Sequence, residues 1–102
     1  GQLFQHKGEN ISNVYTYKIV NKTVHEFKDI HFELLNSKGT IKPVGKAHFT
    51  VPKQGISQGT LFIEINQYLL DGDKTKLRIG VYDGKNLIET TKTNFLGPRS
   101  FN

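Results

Sequence analysis

Residues 76–95 read KLRIGVYDGKNLIETTKTNF, and their pattern decides the class of fold. Leu77, Ile79 and Val81 alternate with Lys76, Arg78 and Gly80, the period of two that gives a strand one apolar face and one wet face. Asp83-Gly84-Lys85-Asn86 then interrupts the run with residues that tolerate turn dihedrals. A second extended run follows from Leu87 to Phe95. The segment therefore reads as a β-hairpin, residues 76–82 against 87–95, closed by a four-residue loop.

The same alternation recurs along the rest of the chain. Tyr15, Tyr17 and Ile19 oppose Thr16 and Lys18; Ile30, Phe32 and Leu34 oppose His31 and Glu33; Ala47, Phe49 and Val51 oppose His48 and Thr50; Leu61, Ile63 and Ile65 oppose Thr60 and Glu64. Turn residues separate these runs at 8–10, 36–39, 52–55 and 71–73. The pattern predicts strands near 2–7, 13–21, 29–36, 40–42, 47–51, 59–66, 76–82 and 86–95. Composition agrees: there is one alanine and no methionine, while Thr, Ile, Val, Phe and Tyr supply 35 of the 102 residues, a mixture suited to pleated, half-buried surfaces. Short strands with a turn signal about every ten residues mark an all-β chain. The expected architecture is an immunoglobulin-like antiparallel β-sandwich of seven or eight strands, without a disulfide because there is no cysteine. Residues 1–102 read as one such domain, with Ile19, Ile30, Phe32, Leu34, Phe49, Val51, Leu61, Ile63, Leu77, Ile79 and Val81 buried.

A chain of 102 residues cannot hold a complete α/β-hydrolase or TIM barrel. No stretch approaches the roughly 20 apolar residues of a membrane span, so no membrane insertion of this segment is expected. The net charge of +5 comes from 14 cations, 12 of them lysines, spread along the chain without a run of five. That is the charge of a solvated surface, and without an accompanying aromatic motif it gives no nucleic-acid site.

Three motifs carry candidate chemistry. Gly55-Ile56-Ser57-Gln58-Gly59 matches the G-x-S-x-G nucleophile elbow, but the residues after it, Thr60 to Ile65, have strand rather than helix pattern. Asp71-Gly72-Asp73 opens like a calcium loop, yet Lys76 stands where that loop needs glycine and Tyr82 where it needs glutamate. His6, His25, His31 and His48 could ligate copper or zinc, but no two are spaced i, i+2. His31 and His48 could meet only if their two strands pair in a favourable register. The expectation is solvated histidines, no metal site, no cofactor and no catalytic residue. Asn10-Ile11-Ser12 and Asn21-Lys22-Thr23 are formal glycosylation acceptors. Phe62, Leu69, Leu70 and Leu96 fit the alternation least well and are candidates for an exposed apolar patch.

Two segments carry a family resemblance. Asn13 to Thr23 reads NVYTYKIVNKT, and Lys74 to Pro98 reads KTKLRIGVYDGKNLIETTKTNFLGP. Together they resemble the C-terminal immunoglobulin-like domain of the FixG/CcoG family, with its early Y-x-x-K-hydrophobic-x-N-K segment and its closing T-x-F-x-G-P, here Thr93 to Pro98. The resemblance implies an excised domain of an inner-membrane parent that carries iron-sulfur clusters on cysteine-rich motifs upstream. It further implies a role in maturation of the cbb-type cytochrome c oxidase, with copper handling or reduction as the parent's chemistry. None of those cysteines is present here, so the implied task of the domain is non-catalytic contact with protein on the periplasmic side. The partner would be an oxidase-assembly component or the parent's own membrane part. The competing expectation is a stand-alone extracytoplasmic sandwich that binds glycan or a surface ligand, with Tyr15, Tyr17, Tyr68 and Tyr82 as the aromatic platform.

Overall fold

The alternating runs become eight strands in the computed structural model, which describes residues 4–98. They are β1 (Gln5–Lys7), β2 (Asn10–Val20), β3 (Phe27–Leu34), β4 (Thr40–Pro43), β5 (Phe49–Val51), β6 (Ile56–Asn66), β7 (Lys74–Asp83) and β8 (Asn86–Leu96), with one 3-10 turn at Gln67–Leu69. Residues 2 and 3 of the expected first strand lie outside the described residues. Two four-stranded antiparallel sheets result, ordered β1-β2-β6-β4 and β5-β3-β7-β8. Pairing of the second strand with the sixth, and of the third with the seventh, is the Greek-key connectivity of an immunoglobulin-like sandwich.

Register follows from burial. On β2 the odd-numbered residues face inward, so Ile11, Asn13, Tyr15, Tyr17 and Ile19 sit over Ile65, Ile63, Leu61, Gly59 and Ser57 of β6. Moving either strand by one residue would expose this whole set. Ile11, Leu61, Ile63, Ile65, Leu77, Ile79 and Phe95 form one buried cluster; Ile19, Ile30, Val51 and Val81 form a second. Tyr17 and Phe32 pack against both.

Several expectations change in detail. The β7–β8 loop holds two residues rather than four, because Asp83 pairs with Asn86. Gly84 stands first in it at φ +60°, the position where a type II′ turn calls for glycine. β2 starts three residues early and β6 also starts early, because each extends the other's ladder to Asn10↔Asn66 and Val20↔Ile56. Ala47 and His48 precede β5 instead of opening it. Phe32, Leu34 and Phe49 are half-buried rather than buried, while Ile11, Ile65 and Phe95 complete the core. The half-buried aromatics Phe32 and Phe49 group with Tyr17 at ring separations of 5.0–6.0 Å. Each ring covers part of the others, and only three residues of β5 are there to close over them.

Polar groups then fasten the two sheets together. Asn13 donates from Nδ2 to the Leu96 carbonyl and accepts at Oδ1 from the Leu96 amide, both at 2.9 Å. A side chain of the first sheet thus satisfies the outer edge of the last residue of β8, whose strand partner is Lys74 of β7. The Tyr15 hydroxyl donates to the Asn94 carbonyl at 2.8 Å beside it. On the outer face of the first sheet, Glu64 is drawn down between Lys42 at 3.1 Å and Lys7 at 3.8 Å, so its near-buried carboxylate is paired as burial requires.

Candidate functional site

The register of β3 against its two neighbours sets up a row of rings on the outer face of the second sheet. Ile30 of β3 pairs with Phe49 of β5, so the next residue along β3, His31, faces the preceding residue on the other chain segment, His48. Their rings lie 4.6 Å apart. On the other side His31 pairs with Tyr82 of β7, whose ring stacks on it at 5.5 Å and 17°. Gly80 makes room for that ring, since a Cβ there would stand 2.8 Å from Tyr82 Cε1. The outcome for His31 differs from a simple wet-face residue: its side chain keeps only 18% of its exposure, because rings flank it on both sides.

Asp29 completes the group. It lies two residues before His31, hence on the same face of β3. The ladder between β3 and β5 shifts between Phe27 and Ile30, and such irregularities re-aim side chains. Asp29 Oδ1 meets His48 Nδ1 at 2.6 Å, a charge-assisted contact when the imidazole is protonated. The hairpin turn holds the Asp29 backbone: its amide donates to Asp83 Oδ1, and its carbonyl accepts from the Gly84 amide, both at 2.9 Å. His31 Nδ1 lies 3.3 Å from the same carbonyl, and its Nε2 lies 3.5 Å from Glu33 Oε2. Among the described residues, one ligand atom each of Asp29, His31 and His48 falls within 4.8 Å of the others. Two imidazoles and a carboxylate are a donor set for a borderline divalent metal. Spacing among histidines alone passes over this group, because the i, i+2 pair on β3 is an aspartate and a histidine.

The other candidate residues are dispersed. His6 is exposed on β1, edge-on to Phe4 at 5.7 Å, and His25 is exposed in the β2–β3 loop. Ser57 lies within strand β6 opposite Ile19. The glycines around it have structural roles, Gly55 in a turn closed by its amide on the Pro52 carbonyl and Gly59 beneath the Tyr17 ring. The Asp71 segment runs into β7 from Lys74 onward, so it does not continue as a loop around an ion. Asn21 is 1% exposed with its carboxamide fully bonded to the backbone around it, and Asn10 is a mid-sheet residue paired on both sides. Of the residues that fit the alternation poorly, Leu70 packs against the core while Phe62 and Leu69 stay exposed. Tyr15 and Tyr17 face the core, Tyr82 lies under His31 and Tyr68 is exposed at the 3-10 turn, so the four tyrosines do not share a surface. An iron-sulfur cluster requires thiolate ligands. With no cysteine in the sequence, the residues of this chain do not fit one.

Strand order, the Greek-key pairing and the absence of cysteine define a disulfide-free immunoglobulin-like sandwich. Residues 1–98 match the family described as "IG-like fold at C-terminal of FixG, putative oxidoreductase", and the chain belongs to that family. Among solved structures it is similar to a FixG-related protein from Vibrio parahaemolyticus, with 19% identity and a TM-score of 0.65 over 85% of this chain and 79% of that one. At that identity the shared property is the fold. A comparison with curated proteins finds no match.

Proposed function

We propose that this domain is a non-catalytic docking module of a membrane-bound iron-sulfur accessory protein, acting in maturation of the cbb-type cytochrome c oxidase from the periplasmic side. The observation that carries the reading is the closure of the sandwich: the inner faces of both sheets cover each other, and what remains for function is the presentation of outer faces. The first sheet offers a suitable one. Cross-strand pairs Val14↔Phe62 and Val20↔Ile56 are exposed there, with Thr16↔Thr60 and Lys18↔Gln58 between them. Apolar spots set among polar residues suit an interface of standard or smaller size, to which the lysines contribute encounter rate more than affinity. The partner is an oxidase-assembly component or the membrane part of the parent. Among the described residues no helix is long and apolar enough to cross a membrane; in this reading the anchor lies in other segments of the parent.

Deleting residues 2–98 from the parent tests this. The expected result is iron-sulfur spectra unchanged and oxidase activity reduced through incomplete assembly. Loss of the clusters would make the domain a structural support for the redox part, and unchanged oxidase activity would defeat the docking role.

A further inference from the structure

We propose that Asp29, His31 and His48 form a binding site for a late divalent transition-metal ion on the outer face of the second sheet. The inference stands apart from the docking role, since it rests on side-chain geometry alone. Their ligand atoms already lie within 4.8 Å of one another. Ligands around a tetrahedral ion at metal–nitrogen and metal–oxygen distances of about 2.0–2.2 Å stand about 3.3 Å apart. Closing that gap takes small side-chain rotations, and His48, 59% exposed, has room to make them.

The surroundings are those of a supported ligand set. Metal-bound histidines usually hold their second nitrogen on a carbonyl or carboxylate, which fixes the ring. One His31 nitrogen can keep such a partner, the Asp29 carbonyl beside Nδ1 or the Glu33 carboxylate beside Nε2, while the other turns to the metal, and Tyr82 and His48 flank its faces. Asp29 is held through its backbone by Asp83 and Gly84 of the hairpin. Without metal, His48 Nδ1 lies 2.6 Å from Asp29 Oδ1, the separation of an N–H donated to the carboxylate. Binding breaks this N–H bond, releases the proton to solvent and forms the metal–nitrogen bond with the freed lone pair. Two nitrogen donors and an oxygen favour imidazole-seeking ions over magnesium or calcium, and the Irving–Williams order places Cu²⁺ ahead of Zn²⁺.

The test is a titration of the 102-residue chain with Zn²⁺ and with Cu²⁺ in a non-coordinating buffer, followed by calorimetry and by the imidazole NMR signals under Zn²⁺. Saturation is expected at one equivalent for either ion, with Cu²⁺ the tighter. The His31 and His48 ring signals should shift together at that equivalent while those of His6 and His25 stay in place. Affinity should fall about tenfold or more in His48→Gln and in Asp29→Asn, and remain unchanged in a His6→Gln, His25→Gln double variant. His48 is exposed, so its replacement leaves the core untouched, and the NMR readout on the unaltered chain needs no variant at all. Binding without a one-equivalent endpoint, a response spread equally over all four histidines, or full affinity in His48→Gln would each overturn the proposal.

Discussion

Asn21 is nearly fully enclosed, and both ends of its carboxamide are engaged. Nδ2 donates to the carbonyls of His25, Val51 and Pro52, and Oδ1 accepts from the amide and hydroxyl of Thr23. One side chain thus ties the end of β2, the loop after it and the end of β5. Asn21→Ala leaves several of these groups without partners inside the protein, which costs about 2 kcal/mol or more. The urea midpoint should fall accordingly with the slope unchanged. In the sequence Asn21-Lys22-Thr23 shows only a turn former or a glycosylation acceptor, because the partners at Val51 and Pro52 are 30 residues away and enter only through folding. Tyr15 makes a second prediction. Burial pushes its hydroxyl up to about 12 from 10.0, so between those values the unfolded chain loses this proton and the folded chain keeps it. Its contribution is therefore complete below pH 10 and is lost as pH rises toward 12. Denaturation measured at pH 9 and 11 should show a smaller loss in Tyr15→Phe than in the parent sequence.

The pairing of β2 with β6 depends on a small residue under a large one. Tyr17 lies across Gly59, and a Cβ at that position would stand 2.8 Å from the Tyr17 hydroxyl oxygen. Gly59→Ala should destabilise by about 1–3 kcal/mol through displacement of the ring. Adding Tyr17→Leu should recover part of the loss, a coupling that a double-mutant cycle measures directly. Strands with strict alternation, such as β3 and β7, are legible from the sequence because one apolar face per strand leaves a single sensible register. The starts of β2 and β6 are less so: Ser12 on β2 is buried yet polar, and Ser57 and Gln58 stand at the start of β6, so polarity at these positions masks the first residues of both strands. The candidate site divides the same way. Asp29 and His31 share a face by local spacing, whereas the arrival of His48 depends on how β5 pairs with β3, which no local pattern encodes.

The molecule is long and thin, 52 × 25 × 17 Å, and its two buried clusters lie along it. Tyr17 and Phe32 contact both clusters, and the β2–β6 and β7–β8 ladders run past both. Cooperative stability should follow from those shared rings and continuous strands, although no disulfide or cysteine is present to staple the chain. The proposed docking role requires such stability, since the domain would have to hold its outer faces in place by itself. Equilibrium urea unfolding of the isolated 102-residue chain, followed in parallel by far-ultraviolet circular dichroism and tyrosine fluorescence, tests that claim most directly. One reversible transition with the same midpoint by both probes is expected. Separate midpoints, or no cooperative transition in the isolated chain, would contradict it.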